Sequence, residues 1–304
     1  MHRIYDLIVI GGGPGGYTAA LYAARGGLDV LVVEKLSAGG QMALTSQIDN
    51  YPGFPEGVDG FQLSENMQRG AERFGAKTLL AQVRAVQLSG KIKALETSEG
   101  TLHAKAVVIA TGANPRLLGL EGERELTGKG VNYCAACDGM FYKGKTVAVI
   151  GGGNTAVADA LLLSRLCKKV ILIHRKDSLR ATKVYHQALE NAENVEFLWN
   201  SQVTGLLHDS RLTGITVHND KTGQEQNLPL DGIFVSIGRV PATELFREQL
   251  VLDQGGYILA DESTATNIGG VFAVGDVRSK TVRQIVTAVA DGAIAAHHAE
   301  EYLA

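Results

Sequence analysis

The chain has 304 residues, 29 Lys and Arg against 32 Asp and Glu, a formal charge of −3, 45% hydrophobic residues and only 6 Pro. This excludes disorder, leaves apolar material for two domains of ordinary size, and gives no electrostatic reason to expect nucleic acid or an acidic membrane as a partner. Three Cys exclude a disulfide-stapled secreted scaffold and fit a reducing, cytoplasmic compartment, and no uncharged apolar run reaches bilayer length. The 37 Gly exceed ordinary usage without a collagen period, which points to sharp turns and close backbone–ligand approaches.

Met1–Ile10 is basic and then apolar, but the run stops at Gly11-Gly12-Gly13 without the cleavage site of a secretory leader. Tyr5–Ile10 predicts a buried strand, Gly15–Arg25 a helix and Asp29–Glu34 a second strand. Such short continuous apolar runs belong to parallel strands covered on both faces. Lys77–Ala85, Ile92–Thr97 and Thr101–His103 predict a smaller antiparallel layer, and Ala106–Ala110 is a buried strand ending at Thr111-Gly112. The pattern then restarts: Thr146–Ile150 is a strand, Gly151-Gly152-Gly153 a turn, Thr155–Lys168 a helix and Val170–His174 a strand. An offset of 140 residues lays Gly11–Gly13 on Gly151–Gly153 and Glu34 on His174, so one strand–turn–helix–strand unit occurs twice. Further strands are expected at Val195–Trp199, Gln202–His208, Leu212–Asn219 and Gly232–Ile237, and a helix from about Thr281 to Leu303. Gly- and Pro-bearing boundaries at Asn114–Gly119 and Gly238–Thr243 suggest that the second copy is inserted into a domain completed by the C-terminal residues.

Gly11-x-Gly13-x-x-Gly16 follows a strand and opens a helix. In that context Gly11 permits the tight turn, Gly13 lets a pyrophosphate reach the backbone, and Gly16 lets helix pack on strand. The helix N-terminus offers unpaired N–H groups to phosphate. Glu34 ends the second strand, where a carboxylate accepts from ribose hydroxyls. The second turn is Gly151-x-Gly153-x-x-Ala156, and its strand ends in His174, Arg175 and Lys176, with Arg180 nearby. A basic cluster at the ribose position binds a 2′-phosphate that an acid would repel. The first site thus suits an unphosphorylated adenosine and the second NADPH; two such sites in one chain suggest a flavin enzyme.

Cys134-Ala-Ala-Cys137-Asp138-Gly139 lies just before the second Rossmann strand. Two Cys at this spacing can close a reversible disulfide ring, whereas a zinc site needs four ligands and has no second pair, so no metal is expected. Cys167, in an apolar helix, reads as a core residue.

With these motifs the chain resembles the low-molecular-weight, bacterial-type thioredoxin reductases over essentially its whole length. The likeness also rests on Gly39-Gly40-Gln41-Met42, Asn50-Tyr51-Pro52-Gly53, Ala110-Thr111-Gly112, Gly275-Asp276 and Arg283-Gln284. It implies an α/β fold of two Rossmann-like three-layer domains: FAD in residues 1–113 and 244–304, NADPH and the C-x-x-C in the inserted residues 114–243. FAD would be held by Gly11, Gly13, Pro14, Gly16, Glu34, Lys35, Gly40, Gln41, Asn50, Thr111, Gly112, Asp276, Arg283 and Gln284. NADPH would be held by Gly151, Gly153, Asn154, Thr155, Ala156, His174, Arg175, Lys176 and Arg180. The resemblance further implies that electrons pass from NADPH through FAD to Cys134–Cys137 and on to a thioredoxin-like partner. Cys137 would lie nearest the flavin, Cys134 would attack the partner, Asp138 would exchange protons with the thiols, and one domain would rotate between half-reactions. A homodimer is expected from the family. Lys176 departs from the pattern, which usually has a second Arg there, a point charge replacing a planar fork. Two rival readings are a flavin-dependent dithiol oxidase, which would not need the basic cluster, and a non-catalytic nucleotide-sensing flavoprotein, which would not need the Cys pair.

Overall fold

A computed structural model describes residues 3–45, 47–182, 189 and 191–304. In chain order its elements are β1 Ile4–Ile10, α1 Pro14–Arg25, β2 Val30–Glu34, α2 Gly60–Glu72, β3 Lys77–Leu80, β4 Val83–Gln87, β5 Lys93–Thr97 and β6 Gly100–Ile109. There follow β7 Ala113–Pro115, β8 Val131–Asn132, α3 Ala135–Asp138, β9 Thr146–Ile150, α4 Asn154–Ser164, β10 Lys169–His174, β11 Val195–Trp199 and β12 Ser201–His208. The chain ends with β13 Leu212–Asn219, β14 Glu225–Pro229, β15 Gly232–Val235, β16 Arg239–Pro241, β17 Val271–Ala273 and α5 Ile285–Leu303. It divides into two compact units, Met1–Asn114 with Val240–Ala304 (unit 1) and Pro115–Arg239 (unit 2).

Unit 1 is built on a seven-stranded sheet ordered β3-β2-β1-β6-β5-β4, with β17 also on β6. Its strands β1, β2, β3, β6 and β17 pair in parallel. Both faces of β1 are covered, which is why it reads as a continuous apolar run. Leu7 and Val9 pack with α1 and α5, whereas Ile8 and Ile10 pack with Leu95, Phe246, Leu250 and Ile258 on the opposite face. Small residues let α5 approach α1: a Cβ on Gly292 would lie 2.3 Å from the Gly15 carbonyl oxygen.

The expected smaller antiparallel layer takes a different form. Lys77–Leu80 pairs in parallel with β2 at the sheet edge, while β4 and β5 run antiparallel within the same sheet. The segments Thr101–His103 and Ala106–Ala110 merge into the one strand β6. Its first half pairs with β5 and its second with β17, so one ten-residue strand joins the antiparallel and parallel halves.

Unit 2 repeats the plan. Its five-stranded sheet, β11-β10-β9-β15-β8, is parallel throughout. Val147 and Val149 face α4, and Ala148 and Ile150 face the antiparallel sheet β12-β13-β14. The strand β14 lies outside the strands expected from sequence, because Glu-Gln-Asn-Leu-Pro carries no apolar alternation; it is placed by backbone pairing to β13, with Leu228 opposite Ile215. The strands β7 and β16, at the two chain crossings, pair with each other. Among the described residues no helix is long and apolar enough to cross a membrane.

Candidate functional site

The first glycine turn is shaped by backbone constraints. Gly11 has φ 104°, a left-handed conformation that side chains avoid; a Cβ there would lie 2.5 Å from the Ala110 carbonyl oxygen. A Cβ on Gly16 would meet the Gly11 carbonyl oxygen at 2.0 Å, so α1 packs on β1 only with Gly there. Gly13 differs, since nothing lies within 4 Å of a Cβ built on it. Gly13 is also the N-cap of α1, no side chain caps it, and Pro14 occupies the first turn. An open backbone at an uncapped helix N-terminus is a cradle for phosphate. Gly40, at φ 56°, faces it, with Gly13 Cα 3.9 Å from its Cβ position.

Glu34 closes this turn. Its Oε2 accepts from the Gly12 N–H at 2.7 Å and its Oε1 from the N–H groups of Lys35 and Leu36 at 2.7 and 3.1 Å. Elsewhere in unit 1 the fold gathers residues far apart in sequence. Asn50 Nδ2 donates to Gln284 Oε1 at 3.1 Å, and Gln284 caps α5 reciprocally with Thr287. Gln41 instead donates to Asn114 at 3.0 Å, and Thr111 Oγ1 donates to the Ala242 carbonyl at 2.8 Å. Gly112 has φ 71°. Asp276 sits half-buried in the turn Gly275–Val277. The guanidinium of Arg283 lies 4.0 Å from the Tyr257 ring centroid, and its Nε is buried without a partner. A donor orphaned in this way calls for an acceptor from a ligand. Together with the open Gly13 backbone it makes these residues fit FAD.

Three side chains here escaped the sequence reading because their partners are remote. Asp291, buried on α5, accepts from the Gly275 N–H at 2.8 Å, from Arg278 Nε and Nη2 at 2.9 and 2.8 Å, and from Lys280 Nζ at 2.8 Å. Burial pushes its carboxyl up, but these hydrogen bonds and the Lys280 charge outweigh that and leave it below the ordinary range.

In unit 2, Gly151 has φ 146° and a Cβ on it would lie 2.4 Å from the Ser236 carbonyl oxygen, while Gly153 is as open as Gly13. Gly153 is the uncapped N-cap of α4. Ala156 replaces the third Gly and is buried, whereas Asn154 and Thr155 are exposed. The Gly152 carbonyl accepts from the N–H groups of Arg180 and Ala181 at 2.7 and 3.2 Å, and Asn154 Oδ1 from that of Thr182 at 2.9 Å. The basic cluster divides. Arg175, Lys176 and Arg180 are exposed, but His174 is buried, with its ring 2.4 Å from a Gly152 Cβ position and its Nε2 unpartnered. Burial, with the charges of Arg180, Arg175 and Lys176, lowers the His174 pKa, so the ring is neutral near pH 7. The exposed positive charge of this cluster therefore comes from Arg175, Lys176 and Arg180, and the neutral His174 ring packs against Gly152. The exposed cations and the open Gly153 fit NADPH.

The cysteines lie in the same unit. Cys134 and Cys137 form a disulfide with Cα atoms 5.3 Å apart, both half-buried. The turn is anchored from both sides. Asn132 Nδ2 donates to Tyr142 Oη at 2.9 Å and to the Ile233 carbonyl at 3.1 Å. Tyr133 donates to buried Glu123 at 2.8 Å, and Glu123 also accepts from the N–H groups of Leu118 and Gly119 at 2.8 Å each. Burial pushes the Asp138 carboxyl up to about 6, within reach of thiol proton exchange near neutral pH. Cys167 is buried and its thiol is pushed up to about 11, which makes it unreactive.

Comparison with known proteins agrees with this chemistry. The family model "Pyridine nucleotide-disulphide oxidoreductase" matches residues 5–292. A thioredoxin reductase of Streptomyces coelicolor is 47% identical, the match covering 100% of this chain and 95% of the relative. One of Listeria monocytogenes is 43% identical, covering 99% and 94%. The crystal structure of thioredoxin reductase from Streptococcus pyogenes superposes with a TM-score of 0.92 at 39% identity, covering 100% of this chain and 99% of that one. By the extent of these matches the chain belongs to the pyridine nucleotide-disulphide oxidoreductase family and, within it, to the thioredoxin reductases.

Proposed function

We propose that this chain reduces the disulfide of thioredoxin or a thioredoxin-like protein, drawing electrons from NADPH through FAD to the Cys134–Cys137 pair. Unit 1 is the FAD-binding domain, and unit 2 is the NADPH-binding domain that carries the redox pair. One observation supports this above the rest: a closed disulfide next to a carboxyl held at about 6, in the unit that bears the second dinucleotide turn.

When bound, FAD supplies the conversion of a nicotinamide hydride into an electron pair that a disulfide can accept. The protein's own residues orient and hold charge. Gly11, Gly13, Pro14 and Gly16 present the N-terminus of α1 to the pyrophosphate, and Glu34 and Lys35 flank the adenosine ribose. Gly40, Gln41, Asn50, Thr111, Gly112 and Asp276 line the flavin half, with Arg283 and Gln284 at the N-terminus of α5. Gly151, Gly153, Asn154, Thr155 and Ala156 hold the NADPH pyrophosphate, with Arg175, Lys176 and Arg180 at the 2′-phosphate and His174 behind them.

With the pair reduced, Cys134 Sγ attacks one sulfur of the partner disulfide and the other partner sulfur leaves as a thiolate. Cys137 Sγ then attacks Cys134 Sγ, re-forming the Cys134–Cys137 bond and releasing the second partner thiolate. The partner gains two electrons and the pair loses two. Asp138 takes the proton from the attacking thiol and returns it to a leaving sulfur. The proposal includes a homodimer in the cytoplasm, the compartment that a low Cys content favours.

The test is direct. Cys134→Ser and Cys137→Ser each abolish NADPH-dependent thioredoxin reduction while bleaching of the yellow flavin by NADPH persists. Full thioredoxin turnover in either variant removes the assigned roles.

A further inference from the structure

The polar cluster beneath the Gly275–Val277 turn does not balance in charge. Asp291 is one carboxylate, and it holds two cations, Arg278 and Lys280. The side chains are 5% exposed for Asp291 and Arg278 and 9% for Lys280. Arg278 binds the carboxylate through Nε and Nη2, and its Nη1 donates to the carbonyls of Ala260 and Asp261 at 3.2 Å each. Arg278 and Asp291 by themselves are therefore a complete, neutral pair. Lys280 is the surplus charge. Its Nζ is 2.8 Å from the same Asp291 oxygen that accepts the Gly275 N–H, and 3.3 Å from the Thr287 carbonyl in the first turn of α5.

The other charges of this region do not cancel the surplus. Asp276 on the turn and Arg283 before α5 have opposite signs. Asp261 and Glu262 also act on Arg278, but both are exposed, where solvent screens them. Lys280 thus places unscreened positive charge at the turn and helix end to which Asp276, Arg283 and Gln284 belong, the flavin half of unit 1 in the function proposed above.

A hydride from NADPH leaves NADP⁺ and adds one proton and two electrons to the flavin ring, which becomes anionic. A buried cation favours that form over the neutral oxidised ring. We propose that Lys280, held on Asp291 beneath the Gly275–Val277 turn, raises the electron affinity of FAD bound to this chain. It is an electrostatic residue of the flavin half, and this rests on FAD occupying unit 1.

The experiment measures the flavin couple in the full-length, FAD-loaded chain with Cys134→Ser and Cys137→Ser, so that the flavin titrates alone, against a dye of known potential. Lys280→Met is expected to lower the reduced-to-oxidised ratio about tenfold at fixed potential, roughly 30 mV for a two-electron couple. Lys280→Arg, which keeps the charge, should stay within about twofold. Lys280→Gln, which keeps a hydrogen-bond donor for Asp291 but no charge, should follow Lys280→Met. An unchanged couple in the neutral variants overturns the proposal, as does an equal shift in Lys280→Arg. Failure of both neutral variants to fold overturns it too, because the two-point Arg278–Asp291 pair is complete without Lys280. Failure of the underlying functional reading looks different: a wild-type protein that takes up no flavin or reduces no thioredoxin.

Discussion

Burial holds the Asp138 carboxyl at about 6, so near neutral pH both of its protonation states are populated, as proton exchange with thiols requires. The same burial opposes folding. With the native pKa raised above the ordinary 3.8, the native state binds more protons than the unfolded chain between those values, and stability falls as pH rises from 3.8 to about 6. Asp138→Asn should therefore lower thioredoxin turnover by ~10²-fold or more yet raise Tm above pH 6, the gain fading as pH falls through that window; melting curves across pH with steady-state rates check both halves. At the proposed 2′-phosphate site, Arg175→Ala should raise the KM for NADPH roughly tenfold, the scale of one charge-assisted hydrogen bond, and leave the KM for NADH unchanged. An equal effect on both cofactors would show that Arg175 reads the pyrophosphate or nothing at all.

The two glycine turns show how an element can be constrained from outside or from within. At Gly16 the constraint is the protein's own backbone, since a Cβ would lie 2.0 Å from the Gly11 oxygen. At Gly13 the space is open, so any constraint comes from a ligand. Gly16→Ala should lower the Tm of the flavin-free protein by several degrees, whereas Gly13→Ala should leave it within a degree or two and still cut flavin retention; differential scanning calorimetry and the flavin-to-protein absorbance ratio separate them. Much of this was legible in the sequence. The doubled strand–turn–helix–strand unit is visible because buried parallel strands need unbroken apolar runs and dinucleotide turns need Gly at fixed offsets. What stayed hidden depends on distant partners. Lys77–Leu80 could not be known as a parallel edge without β2 beside it. Polar β14 is a strand only because β13 pairs with it. The hydrogen bonds converging on Glu123 and Asp291 join residues that no local pattern links.

Across the whole molecule, each unit closes its own side of the two chain crossings. In unit 1 the Ala242 N–H donates to the Gly112 carbonyl at 3.0 Å, and in unit 2 the Arg116 N–H donates to the Gly238 carbonyl at 3.0 Å. Joining Asn114 to Val240 through a short Gly linker, with Pro115–Arg239 removed, should thus yield a folded protein that still binds FAD. A yellow, cooperatively melting product supports this, and an aggregated, colourless one shows that unit 1 depends on the inserted segment.

The placement of β17 beside β6, and of α5 on α1, has a consequence for biosynthesis. The N-terminal part of unit 1 leaves the ribosome with the second half of β6 unpaired on one side and a bare face on α1, and both stay open until residues 271–303 are made. Unit 2, whose sheet is contiguous in sequence, can condense first. At roughly 5–20 residues per second, the nascent N-terminal part of unit 1 waits many seconds for its closing strand, an interval in which exposed apolar surface and an unpaired strand edge invite aggregation.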